Sequence, residues 1–342
     1  MEKKMRKLLT KMILALSLIA GPALSEEMGI EDSSRSAYYN SLKGKQVVFV
    51  PVALGFDLTD GWYAGMKANL EHLGVDIQVR DPNWSADAGA RAISSLIGEK
   101  PDLIVVHNPD VQTYAKLFKK AEKRGIHVVQ INMKSSYSTD AYVGADYIEI
   151  GELAAEAVVE QCGPDTSGEI AIVQGVLTAA ASAYQLRGVS NVLSKHPEIK
   201  IVSNQAADWD STKARAITET TLLQNPNLCG IIGFWDGMDV GIGAAINESS
   251  RANEIFVVTS GGGGKASCDN LEKGFFDLVI SYDVPGQARD LSNAVKSLLQ
   301  TDYVSGSNNY LMYTKLQLIT KDNLSKHRSS GACWTVESIS SN

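Results

Sequence analysis

The chain reads as an α/β protein of two similar doubly wound parallel-sheet lobes, joined by a multi-strand hinge with a ligand cleft between them. Three observations predict this. Short, nearly continuous apolar runs rich in Val and Ile recur along the chain, as parallel strands covered on both faces require. Stretches with apolar residues at helical spacing separate them, and such alternation builds layered α/β sheets. The rhythm occurs twice, over residues 46–145 and 146–282, with no Pro/Gly-rich linker at the join.

Strands are expected at Gln46–Val52, Val75–Val79, Leu103–His107, His127–Ile131, Glu169–Val173, Ile199–Ser203, Gly230–Phe234, Ile255–Thr259 and Leu278–Tyr282. In the first intervening helix Tyr63, Met66, Leu70 and Leu73 share one face, and Gly74 stops it. Pro285 opens a later helix in its first turn, where a missing N–H costs nothing, with Ala288, Leu291, Val295 and Leu298 as its apolar face. The compact join at Tyr142–Asp146 suggests strands crossing between lobes, and the helix after Pro285 returns to the first lobe. Lobe 1 is therefore assigned to 46–145 plus 283–315 and lobe 2 to 146–282 plus 316–342. The polar stretch 26–45 reads as a flexible arm.

Residues 1–25 read as a secretory signal peptide. Lys3, Lys4, Arg6, Lys7 and Lys11 precede the apolar run Met12–Ala20, and small residues follow as far as Ser25. That run is shorter than the roughly 20 residues that span a bilayer, and no Cys near the cleavage site offers a lipid anchor. A released, periplasmic protein is expected. Cleavage removes five cations and one acid, taking the formal net charge from −7 to −11 and leaving about 317 residues, enough for two lobes of ordinary size. An acidic chain without a basic tract argues against nucleic acid as a partner.

Cys162, Cys229, Cys268 and Cys333 in an exported chain suggest two disulfides, with three connectivities open. No CxxC, HExxH, GxSxG or GxGxxG after a strand is present, and the five His are scattered singly, as surface or packing residues. Gly261–Lys265 lacks the hydroxyl residue a phosphate loop needs after its Lys, since Ala266 stands there. Asp208/Asp210 and Asp236/Asp239 are paired acids, but Asp210 also precedes a helical run as an N-cap would. No catalytic group, metal or cofactor is expected.

Ligands of open α/β sheets sit beyond the carboxyl ends of the strands. There the sequence concentrates aromatics: Trp62, Trp209 and Trp235, three of the five Trp, with Phe56 and Tyr282. Rings interleaved with carboxylates and amides suit a polyhydroxylated ligand, whose C–H face stacks while its hydroxyls find fixed partners.

These strand ends resemble those of the type I periplasmic binding proteins, in the branch of the ribose-binding proteins. The likeness runs from about Lys45 to Leu318. Its markers are Gly65 and Gly74 around the first helix, Ala171-Ile-Val-Gln-Gly175, Arg187-Gly188, Ala207-Asp-Trp-Asp210, Phe234-Trp-Asp-Gly-Met238 and Val284-Pro-Gly-Gln287. The resemblance implies lobes joined by three strands, a ligand in the cleft, no catalysis, and a closed form that docks on the membrane permease of an ABC importer. Phe56, Asp57 and Leu58 match the first-lobe loop that supplies an amide and stacking rings. Asn132 and Met133 stand where an Asp and an Arg are usual, Gln185 where a ligand-binding Arg is frequent, and Trp209 at a stacking aromatic. Trp235 replaces a common Asn beside Asp236, Gly261 a common Asp, and Tyr282 a common Gln at the hinge. Lys134 enters the site if that loop shifts by one residue. Trp62 completes the ligand-binding set.

The usual charged grip is thus replaced by Asn132, Met133, Gln185 and Gly261. Since charge-assisted hydrogen bonds are the strong ones, a ligand held more by stacking is expected: a sugar alcohol, a deoxy sugar or another small carbohydrate or polyol. Within this frame Cys162 and Cys229 both fall at one end of the second lobe, and Cys268 and Cys333 tie the C-terminal tail to it, so Cys162–Cys229 and Cys268–Cys333 are the expected pairs. A monomer is expected. The alternatives are an exported enzyme, a sensory receptor domain for the same ligands, and a nucleoside-binding import receptor, because stacked Trp rings also suit a flat base.

Overall fold

Most of the apolar runs become strands buried on both faces, although the run at 199–203 forms an edge strand that stays largely exposed. β1 (Gln46–Val50), β3 (Leu103–Val106), β4 (His127–Ile131) and β8 (Gly230–Gly233) are almost wholly inaccessible. The computed structural model describes residues 33–249, 251 and 253–341; the expected signal peptide lies outside the described residues. Residues 33–42, expected within a flexible arm, form a polar helix, α1 (Ser33–Leu42), which ends on the fully buried Leu42. With a single inward-facing apolar residue, it has no periodicity to read.

The first sheet adds β2 (Asp76–Val79), β5 (Ala141–Gly144) and β11 (Tyr310–Tyr313), in the order β11-β5-β4-β3-β1-β2, with every neighbouring pair parallel. The second contains β6 (Glu169–Gln174), β7 (Lys200–Ala206), β8, β9 (Phe256–Gly261), β10 (Leu278–Ser281) and β12 (Gln317–Thr320). Its order, β12-β10-β9-β8-β6-β7, repeats the first, except that β12 runs antiparallel to β10. Helices α2 (Asp57–Leu70), α3 (Ala86–Glu99) and α4 (Ala115–Glu122) link the first sheet's strands. Helix α5 (Tyr147–Gln161) leads from β5 into the second sheet, whose parallel strands are linked by α6 (Ala180–Leu193), α7 (Ser211–Gln224), α8 (Asp236–Glu248) and α9 (Lys265–Glu272). Helix α10 (Val284–Leu299) follows β10 and packs on α2, β4 and β5, so it returns to the first lobe.

The chain passes between the sheets after β5, after β10 and between β11 and β12. Thr314 joins these crossings: its Oγ1 lies 3.0 Å from the Tyr282 carbonyl and 3.3 Å from that of Gly144. β11 and β12, absent from the sequence reading, are short and half-exposed, so they lack the apolar run that marked the others.

The tail departs from its assignment to the second lobe. Helix α11 (Leu324–Ser329) packs beside β12, and Cys268–Cys333 fastens the tail to α9, with Cα atoms 5.9 Å apart. Trp334 Nε1 then donates to the Gly262 carbonyl at 2.8 Å. Beyond it α12 (Val336–Ser340) lies on α2, in the first lobe. Gly61 and Gly65 of α2 make the contact possible. A Cβ at Gly61 would come within 2.8 Å of the Trp334 ring, and one at Gly65 within 3.3 Å of Ile339. The second disulfide, Cys162–Cys229, joins the end of α5 to the start of β8 with Cα atoms 5.8 Å apart.

Candidate functional site

The carboxyl ends of both sheets converge on a cavity of about 240 Å³. From the first lobe come Phe56, in the extended N-cap position of α2, Trp84 from the β2–α3 loop, His107 and Pro109 after β3, and Asn132 and Met133 after β4. From the second come Val176 and Thr178 after β6, Trp209 after β7, Phe234 and Trp235 after β8, and Tyr282 after β10. Each lobe contributes a ring pair. Phe56 stacks on Trp84 (centroids 5.2 Å apart, planes at 23°), and Trp209 meets Trp235 edge-to-face (6.2 Å, 81°). The pairs touch through Phe56 and Trp235, at 5.7 Å.

One wall is polar and already bonded within itself. Tyr147 Oη donates to Asn132 Oδ1 at 2.7 Å, and the Tyr147 and Tyr282 hydroxyls are hydrogen-bonded to each other. Asn132 Nδ2 lies 3.4 Å from His107 Nε2, which places that nitrogen as the acceptor. Burial pushes His107 down to about 3 and drives the Tyr147 and Tyr282 hydroxyls above their ordinary range, so this wall is uncharged at neutral pH. Asp110 is the one charged residue in the lining. Burial pushes it up, but bonds from Thr113 and Gln112 outweigh that and hold it below the usual value. Its carboxylate is occupied: Oδ1 accepts from the Gln112 and Thr113 amides at 2.7 and 2.8 Å.

A second cavity, of about 330 Å³, shares Phe56, Leu58 and Trp235 with the first. Its lining adds carboxylates and other polar groups to apolar ones: Asp57 from the first lobe, with Asp236, Ser267 and Asn270 from the second, beside Val240 and Trp334. Burial pushes Asp236 up to about 6, against the opposing bonds from the Ser267 hydroxyl and the Gly237 amide. Burial also raises Asp57, reinforced by Asp60 and Glu337.

Of the residues singled out in the sequence, Phe56, Asn132, Met133, Trp209, Trp235 and Tyr282 line the first cavity, and Asp57 and Asp236 the second. Four lie elsewhere. Trp62 is fully buried in the first lobe, because its place on α2 turns it toward α10, where Nε1 donates to Gln287 Oε1 at 2.9 Å. Lys134 points away from the cavity, with Nζ over the Tyr142 and Tyr313 rings at 4.5 and 4.4 Å and bonded to the Tyr313 hydroxyl. Gln185 is committed to structure: Nε2 donates to the Phe234 carbonyl at 3.1 Å and Oε1 accepts from Ser260 Oγ at 3.1 Å. Gly261 lines neither cavity, because the Asp236 carboxylate fills the place of its side chain, 2.0 Å from where a Cβ would stand. Asp210 caps α7 by accepting from the Thr212 and Lys213 amides at 2.8 and 3.0 Å. Trp84, His107 and Tyr147 were missed. A signal for Trp84 existed, since Asn83-Trp-Ser85 repeats the pattern of Asp208-Trp-Asp210.

Residues 47–302 match the model of the periplasmic binding protein domain. The chain belongs to this family. Among curated relatives, it is 28% identical over 151 residues to the D-allose-binding periplasmic protein of Escherichia coli, covering 42% of this chain and 48% of that one. It is 26% identical over 196 residues to the D-apiose import binding protein of Actinobacillus succinogenes, covering 56% and 62%. The chain thus spans less than two thirds of the length of these relatives. Among solved structures, an ABC transporter solute-binding protein from Burkholderia graminis in complex with D-arabinose superposes with a TM-score of 0.74 at 23% identity, covering 83% of this chain and 97% of that one. The Caulobacter myo-inositol binding protein gives 0.73 at 18%, covering 82% and 95%. These likenesses establish the fold: two α/β lobes of the periplasmic binding type.

Proposed function

We propose that this chain is the exported, monomeric solute-binding subunit of an ABC importer, and that it closes its lobes on a small uncharged sugar or sugar alcohol. One observation carries this reading. Ring pairs from both lobes enclose a cavity at the strand ends, and no Lys or Arg lines it. Such a ligand contacts both walls only when the lobes are closed, so binding shifts the population toward the form a permease would recognise. Micromolar binding needs about −8 kcal/mol. A solute of about 12 heavy atoms reaches that at less than half the ceiling of roughly −1.5 kcal/mol per atom. The polar wall offers no activated base, since its Tyr and Asn are neutral and its His is of depressed basicity.

A thermal-shift panel of pentoses, hexoses, polyols, inositols, amino acids and small anions tests the reading, because ligand binding raises the melting temperature by mass action. At least one compound is expected to raise it in proportion to the logarithm of its concentration. A panel in which only amino acids or anions do so overturns the ligand class.

A further inference from the structure

The two cavities differ in chemistry and share a wall. The first is ringed by Phe56, Trp84, Trp209 and Trp235, and much of its polar wall is already hydrogen-bonded within the protein. It offers more flat apolar surface than a bare polyol uses, and fewer free hydrogen-bonding groups than one needs. The second cavity brings in carboxylates that the aromatic one lacks apart from Asp110. Asp57 accepts no hydrogen bond among the described residues, and Asp236, which already accepts from the Ser267 hydroxyl and the Gly237 amide, faces the same space from the opposite lobe, with Asn270. Carboxylates accept from hydroxyls as charge-assisted bonds. On the common wall, the Trp235 Nε1 donor is buried without a partner in the protein, which is costly unless something accepts from it.

Building on the receptor reading above, we propose that the ligand is bipartite: a sugar or polyol bearing a flat aromatic ring. The Phe56–Trp84 and Trp209–Trp235 pairs take the ring, the hydroxyls reach Asp57 and Asp236, and an oxygen near the junction of the two parts accepts from Trp235 Nε1. A nucleoside and an aryl glycoside share this chemistry. Phe56 and Trp235, one from each lobe, form the waist that both parts must contact.

Isothermal titration of the mature protein separates the possibilities. The probes are adenosine, uridine and phenyl β-D-glucopyranoside, against free ribose, glucose, adenine and phenol. One ring-bearing class is expected to bind at least about tenfold more tightly than both its free sugar and its free ring. Which class does so distinguishes base from aryl group. Trp84→Ala, at a half-exposed ring whose loss leaves folding intact, is expected to erase that advantage. Asp57→Asn is expected to weaken the ring-bearing sugar while leaving the free ring unchanged. A free sugar that binds within about threefold of its ring-bearing counterpart overturns the bipartite ligand and leaves the receptor reading standing. If every sugar, polyol and ring-bearing sugar fails to bind, both readings fall.

Discussion

In the first lobe, Pro82-Asn-Trp-Ser85 turns the chain with Asn83 and Trp84 at φ of 48° and 65°; in the second, Ala207-Asp-Trp-Asp210 does so with Asp208 and Trp209 at 54° and 65°. The fourth residue's amide closes each turn on the first residue's carbonyl, Ser85 on Pro82 at 3.1 Å and Asp210 on Ala207 at 2.9 Å. Each then caps the helix that follows, Ser85 from the Ala88 amide and Asp210 from those of Thr212 and Lys213. Asn and Asp tolerate the left-handed region, whereas a bulky ring there costs of order 1 kcal/mol or more. The two lobes carry the same strain at the same topological point. What differs is the support. Trp84 is 52% exposed and leans on Phe56, whereas Trp209 is half-buried against the second-lobe core. A Cβ at Gly175 would come within 2.1 Å of the Trp209 ring. One ring is therefore part of its lobe's packing, and the other stands half-exposed at the cavity, stacked on Phe56.

Both disulfides lie in or on the second lobe. Opening Cys162–Cys229, which closes a separation of 67 residues, is expected to cost about 4 kcal/mol of stability in the chain-entropy account. Denaturant unfolding of the Cys162→Ser/Cys229→Ser variant, monitored at Trp209 and Trp84 separately, is expected to show the Trp209 signal lost first; simultaneous loss would mean the lobes unfold as one unit.

Trp209→Ala is expected to cost about 2–3 kcal/mol of stability besides its effect on binding, because it empties packed space. Gly175→Val is expected to reproduce the binding loss by displacing the same ring. Trp84→Ala is expected to weaken binding by about tenfold or more while leaving the melting temperature within about 2 °C, as for an exposed side chain. If the two alanine variants destabilise equally, the contrast between the turns is wrong. Asn83→Val and Asp208→Val are each expected to lose about 1 kcal/mol, since a β-branched residue resists the left-handed region.

The smallest effect concerns a buried acid of the first lobe. Burial pushes Glu122 up to about 7 from an ordinary 4.5, against the bond from the Tyr137 hydroxyl at 2.7 Å and with the nearby Asp140 charge adding to the rise. A raised carboxyl pKa means the folded state holds the proton more tightly, so stability falls as pH rises from 4.5 toward 7. The stability difference between the wild type and Glu122→Gln, measured across that window, is expected to move against the wild type with rising pH. A flat difference would show that Glu122 titrates normally.

Local pattern carried much of this. Runs such as Leu103–Val106 and Gly230–Gly233 are strands in any context that covers both faces, and Pro285 and Gly74 punctuate helices by their own covalent geometry. Ring-bearing loops such as Phe234-Trp235 meet at one cavity because the carboxyl ends of parallel strands share one edge. Other features depended on neighbours distant in the chain. β11 needs β5 beside it, α12 needs the two glycines of α2, and Trp62 faces inward only because α10 brings Gln287 to its indole nitrogen. Gln185 has the chemistry of a ligand contact but is consumed by Phe234 and Ser260, and Gly261 is small because Asp236 occupies its space.

By itself, then, the sequence determined two α/β lobes, their strand-end loops and the aromatic residues those loops carry, since these follow from periodicity, turn chemistry and residue type. Only the tertiary structure decided which rings face the cavity, that Trp84 mirrors Trp209, and that two carboxylates from opposite lobes share a second chamber. Side-chain direction at a strand end is set by what packs behind it, and that partner comes from another part of the chain.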